Sequence, residues 1–228
     1  MGELIDFPVN GSTCPGYFAV SATGSGPGVL VIQEWWGLVP HITDVCDRFA
    51  EAGFTALAPD LYRGETTTEP DEAGKLMMAL NVEAASKDMD AAIDYLTGRD
   101  EVSSQRVGVI GFCMGGGLAL VVAANSASKV GAVAPFYGLI PWEDAKPDFS
   151  AIEAPIRGHF AELDGFFGPE AAAALEEELR GLGKDAAITV HEGADHAFFN
   201  DTRPDVYAEP ASRRAWDETV SFFREALA

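Results

Sequence analysis

A cysteine stands among closely spaced glycines in segment 111–116, Gly-Phe-Cys-Met-Gly-Gly. The mostly apolar run 106–110 before it predicts a buried strand, and the uncharged run 117–124 after it predicts a buried helix. A strand that turns sharply into a helix leaves no room for side chains beside the turn, which explains the glycines. The turn would expose Cys113 at the helix N-terminus, where backbone N–H groups stabilise an anion. Cys113 is therefore the candidate nucleophile.

A thiol nucleophile needs a general base, and the base needs an acidic group that orients it. When the nucleophile sits in a Gly-x-nucleophile-x-Gly turn, the order along the chain is nucleophile, acid, histidine. His196 directly follows the last predicted strand, so it is the favoured base. Asp164 follows the preceding predicted strand and stands before Gly165, so it is the favoured acid.

Other histidines and carboxylates fit these roles less well. His41 opens a predicted helix, where we expect a surface or first-turn residue, and His159 lies inside a predicted strand, where we expect a core histidine. His191 ends the last predicted strand, before the loop begins. Glu162 is still on its strand, and Asp195 is expected to cap its own loop.

Acyl transfer also needs two N–H donors for the developing oxyanion. One is the amide of Met114, directly after the nucleophile, and the other comes from loop 34–37, where Trp35 is the donor candidate. Glu34 opens that loop. A carboxylate at the end of a buried strand is costly without a partner, so Glu34 is either a surface residue at a strand end or a contact of Cys113.

The rest of the chain alternates strand and helix patterns, which supply the elements that must position these residues. Strands are predicted at 17–22, 28–33, 54–58, 106–110, 130–136, 154–160 and 186–191, and helices at 41–52, 81–96, 117–124, 169–182 and 210–227. Repeated β–α–β units predict a single α/β domain over residues 1–228, with a mostly parallel sheet and helices on both faces. The long connection 59–80 is expected to be a lid or irregular surface.

The composition excludes several classes of partner. The formal net charge of the 228 residues is −21, which opposes binding to nucleic acid and to anionic membranes. The three cysteines, Cys14, Cys46 and Cys113, do not form a disulfide framework. The N-terminus lacks the pattern of a signal peptide, so we expect a cytoplasmic protein. The uncharged run 107–128 is long enough to cross a bilayer, but its glycines and its strand–turn–helix pattern argue against a membrane span.

The chain resembles the dienelactone hydrolase family of α/β-hydrolases over essentially its full length. The segments that carry the resemblance are Gln33-Glu34-Trp35-Trp36-Gly37, Pro59-Asp60-Leu61-Tyr62, Gly111-Phe112-Cys113-Met114-Gly115-Gly116, Phe136-Tyr137-Gly138, Gly158-His159-Phe160-Ala161-Glu162-Leu163-Asp164 and His196-Ala197-Phe198. The resemblance implies the α/β-hydrolase fold and a Cys113–His196–Asp164 triad that hydrolyses small esters or lactones without a metal or an organic cofactor. It also implies that Glu34 keeps the thiol neutral until bound substrate displaces it.

Two arginines that hold the substrate carboxylate in dienelactone hydrolases are absent from the matching positions. The fourth residue after the catalytic histidine is Asn200, and segment 64–80 contains no arginine. Arg63 and Arg203 are possible substitutes, although neither stands at a matching position. We therefore expect the hydrolytic machinery to carry over but not the carboxylate-bearing lactone as substrate. The candidate pocket residues are Trp35, Trp36, Tyr137 and Phe198, and Asn200 is a candidate substrate contact at the position of the missing arginine.

Two other functions stay open from the sequence. Cys113 could be a redox-sensitive or ligand-capturing thiol on the same fold. A dehalogenase is a weaker alternative because that chemistry normally uses a carboxylate nucleophile. For the hydrolase, the expected partner is a small ester or lactone, with no nucleic acid and no membrane, and the protein is expected to be a monomer or a weak homodimer.

Overall fold

Eight strands form one sheet in the part of the chain that the computed structural model describes, residues 1–9, 11–142 and 145–228. They are β1 (Glu3–Val9), β2 (Ser12–Ala19), β3 (Gly28–Ile32), β4 (Thr55–Pro59), β5 (Val107–Phe112), β6 (Val130–Phe136), β7 (Ile156–Ala161) and β8 (Ala186–His191). The spatial order is β1-β2-β4-β3-β5-β6-β7-β8. The strands from β4 to β8 pair in parallel, whereas β1 and β2 are antiparallel to their neighbours.

Helices cover both faces of this sheet. They are α1 (Pro40–Glu51), α2 (Pro70–Ala79), α3 (Val82–Thr97), α4 (Met114–Asn125), α5 (Pro169–Gly181) and α6 (Glu209–Ala226). Side chains along a strand alternate between the two faces. In β3, Leu30 and Ile32 therefore enter the core beneath α3, α4 and α5, while Val29 and Val31 enter the core beneath α1 and α6. The predicted α/β-hydrolase fold class, a mostly parallel sheet with helices on both faces, is confirmed.

Two elements were not predicted from the sequence. Strand β1 and residues 12–16 of β2 are the unpredicted part of a hairpin at the sheet edge, in which β1 pairs with residues 12–18 and Pro8 and Pro15 interrupt the strand pattern. Helix α2 lies inside the connection that was expected to be a lid or irregular surface. Ala73 is the only fully buried residue of this helix, and Leu76 and Met77 are partly buried against the core, so its apolar stripe is too short to stand out from the surrounding loop.

The uncharged run 107–128 is divided between β5, the turn at Cys113 and α4. Helix α4 is buried along almost its whole length, which explains why it carries no charge. Among the described residues, none of the helices combines the length and the apolar character that a bilayer crossing requires.

Three histidines are buried in the core. His159 lies within β7, as expected of a core histidine, and its Nδ1 is 3.1 Å from Nε2 of His191. Burial lowers the pKa of His159 to about 3 and the pKa of His191 to about 4. His41 is in the first turn of α1 but is buried rather than at the surface, and its burial lowers its pKa to about 4. The fold therefore holds all three imidazoles in their neutral form at neutral pH.

We expect the free energy of unfolding to decrease as the pH falls from about 6.5 to about 4. In this window the unfolded chain protonates these histidines, whose ordinary pKa is 6.5, while the folded protein excludes the protons. Each histidine contributes about 1.4 kcal/mol per pH unit. Urea unfolding between pH 4.5 and 7.5 should give a shallower pH dependence for His191→Gln than for the wild type, by about that slope. Equal slopes would contradict the assignment.

Candidate active site

The turn from β5 into α4 determines where Cys113 lies. Cys113 has φ 54° and ψ −119°, a conformation that ordinary residues rarely adopt, and it occupies the N-cap position of α4. A Cβ atom on Gly111 would overlap the carbonyl group of Gly115. A Cβ atom on Gly115 would lie 2.5 Å from the carbonyl oxygens of Ile32 and Gln33, at the end of β3. The glycines thus allow the turn to pack against the end of the neighbouring strand.

The carboxyl ends of β5, β7 and β8 bring Cys113, Asp164 and His196 together. His196 Nδ1 is 2.8 Å from Asp164 Oδ2, and His196 and Cys113 line the same cavity. Because a carboxylate can only accept, Nδ1–H of His196 is the donor to Asp164. The other carboxylate oxygen of Asp164 accepts hydrogen bonds from the backbone N–H groups of Phe166 (2.7 Å) and Phe167 (3.0 Å). These contacts fix the orientation of the imidazole.

The electrostatics of the three residues favour a charged imidazole. Burial lowers the pKa of His196, but the hydrogen bonds and the negative charges of Asp164 and Cys113 outweigh it and raise the pKa to about 10. Burial raises the pKa of Asp164, but the hydrogen bond and the charge of His196, together with the two backbone N–H groups, lower it overall. The arrangement therefore stabilises the imidazolium form of His196 beside the Asp164 carboxylate.

Glu34 is 1% exposed, which excludes the surface-residue interpretation. Its Oε2 accepts a hydrogen bond of 2.9 Å from Asn200 Nδ2, while its Oε1 has no hydrogen-bond partner among the described residues. Burial raises the pKa of Glu34, and the bond from Asn200 and the positive charges of His196 and Arg203 offset only part of this effect. Glu34 is thus a buried carboxyl group with a raised pKa, and it directly precedes Trp35, the proposed oxyanion donor.

A cavity of about 420 Å³ opens at Cys113 and His196. Both proposed oxyanion residues, Met114 and Trp35, line it. The rest of its wall is mostly apolar and comes from helix α2 and from loops at the same edge of the sheet: Trp36, Pro70, Met77, Leu139, Ile140, Pro141, Trp142, Phe166, Phe167, Asp195, Arg203 and Val206. Within the described part of the chain, Arg203 is the only Lys or Arg that lines it. Its guanidinium group pairs with Asp205 at 3.1 Å.

The other proposed substrate residues occupy different places. Trp36 lines the cavity, but Tyr137 and Phe198 are fully buried behind His196. The centre of the Tyr137 ring is 5.3 Å from the ring centre of His196 and 5.3 Å from that of Phe198. The Arg63 guanidinium binds Asp88 at 2.6 Å and does not line the cavity. Asn200 is 2% exposed and binds Glu34 instead of facing this cavity.

Comparison with known proteins identifies the family. The model of the dienelactone hydrolase family matches residues 14–227. The chain belongs to this family. It is 39% identical to "Protein usf" of Aquifex pyrophilus and 35% identical to a protein of Aquifex aeolicus (strain VF5) named "Putative carboxymethylenebutenolidase", each over 100% of both chains.

A solved structure titled "Putative Dienelactone Hydrolase", from Klebsiella pneumoniae subsp. pneumoniae MGH 78578, superposes with a TM-score of 0.89. It is 26% identical to this chain, and the match covers 99% of this chain and 98% of that one. As a member of the dienelactone hydrolase family, the protein is a hydrolase of the ester and lactone class.

Several cavity residues of this family member were not found by sequence reasoning. Phe166 and Phe167 follow the predicted acid, and Leu139, Ile140 and Trp142 follow β6. The rule that the site of an open α/β sheet lies beyond the carboxyl ends of its strands would have indicated both loops. Among the described residues, no group of three or more His, Cys, Asp or Glu side chains is arranged to hold a metal ion.

Proposed function

We propose that this protein hydrolyses small, neutral, mostly apolar esters or lactones through an acyl-thioester on Cys113. The observation that carries the proposal is the hydrogen bond between Asp164 and His196, with His196 and Cys113 together at the wall of an apolar cavity. A nucleophile, a base within hydrogen-bond reach and a group that orients the base are the parts that nucleophilic catalysis requires.

In the first half of the reaction, Sγ of Cys113 attacks the substrate carbonyl carbon while His196 holds the thiol proton. The carbonyl oxygen becomes an oxyanion that accepts hydrogen bonds from the backbone N–H groups of Met114 and Trp35. The tetrahedral intermediate then breaks the C–O bond, and His196 gives its proton to the departing alkoxide. Asp164 keeps the imidazole oriented and stabilises its positive charge throughout.

In the second half, His196 takes a proton from a water molecule, which attacks the thioester carbonyl. The C–S bond breaks, the acid is released, and the proton returns to Cys113. With an ester, the alcohol leaves before this step. With a lactone, the alcohol stays tethered and the single product is a hydroxy acid.

Glu34 regulates the thiol in this scheme. When Glu34 is ionised, its negative charge opposes formation of a second anion at Cys113. The N-terminus of α4 acts in the opposite direction because it stabilises the thiolate. Displacement of Glu34 by bound substrate would remove the opposing charge and release the nucleophile only when substrate is present.

The choice of a neutral substrate follows from the charges around the cavity. Arg203 is the only Lys or Arg lining the cavity among the described residues, and Asp205 already pairs with it. The net charge of −21 adds a long-range repulsion of anions. Aromatic and aliphatic side chains make up most of the wall, so burial of apolar substrate surface supplies the binding free energy.

Replacement of the nucleophile tests the chemistry. We expect Cys113→Ala to lower kcat for p-nitrophenyl acetate by at least about 10³-fold, because removal of a nucleophile removes the covalent route. Cys14→Ala and Cys46→Ala are the matched controls, since both thiols are buried in the core, and their folded fractions should keep activity close to wild type. Turnover by Cys113→Ala within tenfold of the wild type would exclude Cys113 as the nucleophile. A wild type that oxidises at Cys113 but hydrolyses no ester would favour the redox alternative.

Substrate charge tests the specificity. Hydrogen bonds to a charged group contribute about 1.5–3 kcal/mol each, so each missing arginine should lower the affinity for a substrate carboxylate by roughly tenfold or more. We expect kcat/KM to be higher for neutral lactones and esters than for the carboxylate-bearing dienelactone. Arg203→Gln should reduce kcat/KM for the anionic substrate more than kcat/KM for a neutral ester. A preference for the dienelactone at both low and high ionic strength would show that other groups bind the carboxylate.

A further inference from the structure

Asn200 joins the loop that carries His196 to the loop that carries Glu34. Its backbone N–H donates to the carbonyl oxygen of Ala197 (2.9 Å), which keeps it in the histidine loop. Its side-chain Nδ2 donates to Glu34 Oε2 (2.9 Å), across 166 positions of the sequence. Both side chains are almost completely buried, so this contact replaces solvent as the environment of the Glu34 carboxyl group.

Thr202 fixes which end of the Asn200 amide faces Glu34. The backbone N–H and the hydroxyl of Thr202 both donate to Asn200 Oδ1, at 3.1 and 2.6 Å. If the amide were rotated by half a turn, these donors would face an NH₂ group, and the amide oxygen would face the carboxylate. Only the observed orientation satisfies all of these groups.

Asn200 contributes no charge to its partner. The charged groups that act on Glu34 are His196 and Arg203, which offset only part of the effect of burial. The other titratable neighbours are Tyr137 and Cys113: the charges of Glu34 and Cys113 both raise the pKa of Tyr137, after the larger effect of its burial. An arginine in place of Asn200 would hold Glu34 ionised. The amide instead donates to Oε2 whether or not Oε1 carries a proton.

We propose that Asn200, locked by Thr202, is a positioning residue that holds Oε2 of Glu34, leaves Oε1 without a hydrogen-bond partner among the described residues, and permits Glu34 to exist in both protonation states. This inference rests on the proposed function, since Glu34 matters to catalysis only if Cys113 is the nucleophile. Its consequence is that Asn200 and Thr202 set the pH at which Glu34 ionises, and with it the pH dependence of the reactivity of Cys113.

The test is the pH profile of Cys113 alkylation by iodoacetamide between pH 5 and 9, followed by mass spectrometry of the peptide that contains Cys113. Asn200→Asp has nearly the same shape but places a second carboxyl group against Glu34, and the two must share a proton. Ionisation of Glu34 should appear in this profile as a step in the alkylation rate of Cys113. We expect Asn200→Asp to move the midpoint of this step to higher pH by at least about one pH unit. Thr202→Val removes one of the two donors that lock the amide and should move the step in the same direction by a smaller amount.

The Glu34→Gln background separates positioning from general damage. Glu34→Gln should abolish the step, and adding Asn200→Asp to it should move nothing further, since the coupling requires both carboxyl groups. Asn125→Asp makes the same substitution far from the site, where Asn125 binds Ser86, and should leave the profile unchanged. Thermal unfolding of every variant identifies any that fail to fold, in which case Thr202→Val decides.

Two results would overturn the inference: a profile that does not move in folded Asn200→Asp or Thr202→Val, or an equal movement in the Glu34→Gln background. Loss of stability with an unchanged profile would mean that Asn200 is merely structural. The proposed function fails separately, when Cys113→Ala retains turnover. If Cys113→Ala is inactive and the alkylation profile of Asn200→Asp does not move, the positioning role of Asn200 is rejected while the proposed function stands.

Discussion

The tight turn between β5 and α4 is the constraint on which the site depends. It places Cys113 in a left-handed backbone conformation at a helix N-terminus and requires close contact with the end of β3. A side chain at Gly115 would separate these elements, and Glu34 and Trp35 would then move away from the thiol. Strain at a single residue persists only where the surrounding structure determines it. Here the packed ends of the neighbouring strands hold the Cys113 backbone in its strained conformation.

The parallel sheet gathers the remaining groups at the same edge. β3 leads to Glu34 and Trp35, β7 to Asp164 and β8 to His196. Residues that are far apart in sequence can therefore form hydrogen bonds such as those between His196 and Asp164 and between Asn200 and Glu34. The edge combines the buried, hydrogen-bonded pairs His196–Asp164 and Asn200–Glu34 with a mostly apolar cavity wall.

The elements that carry the site could be predicted because each has a strong local signal. The apolar runs of the parallel strands and the glycines around Cys113 are visible in the sequence, and chain order is sufficient to select His196 and Asp164 as candidates. Helix α2 was missed because its apolar stripe of Ala73, Leu76 and Met77 spans only about one turn, and the edge hairpin was missed because its proline residues interrupt the strand pattern. Both failures concern elements stabilised by their neighbours rather than by their own pattern.

Side-chain partners were harder to predict than elements. Arg63 was a candidate to bind a substrate carboxylate, but its guanidinium group forms an ion pair with Asp88. Tyr137 was a candidate pocket residue, but its side chain is fully buried in the core. The position of Asn200 suggested a substrate contact, whereas its amide binds Glu34. A sequence gives the chemical type of such a residue but not which of several nearby groups it contacts, because that choice depends on packing between distant segments.

The most direct measurement of the catalytic proposal is the mass of the enzyme during turnover. An activated ester accelerates formation of the acyl-enzyme, so the intermediate should accumulate and give a burst of the alcohol product. Rapid quenching in acid followed by peptide mass spectrometry should find one acyl group, on the peptide that contains Cys113, and hydroxylamine should release it as expected of a thioester. Steady turnover of that ester with Cys113 unmodified, or with the acyl group on another residue, would contradict the proposal.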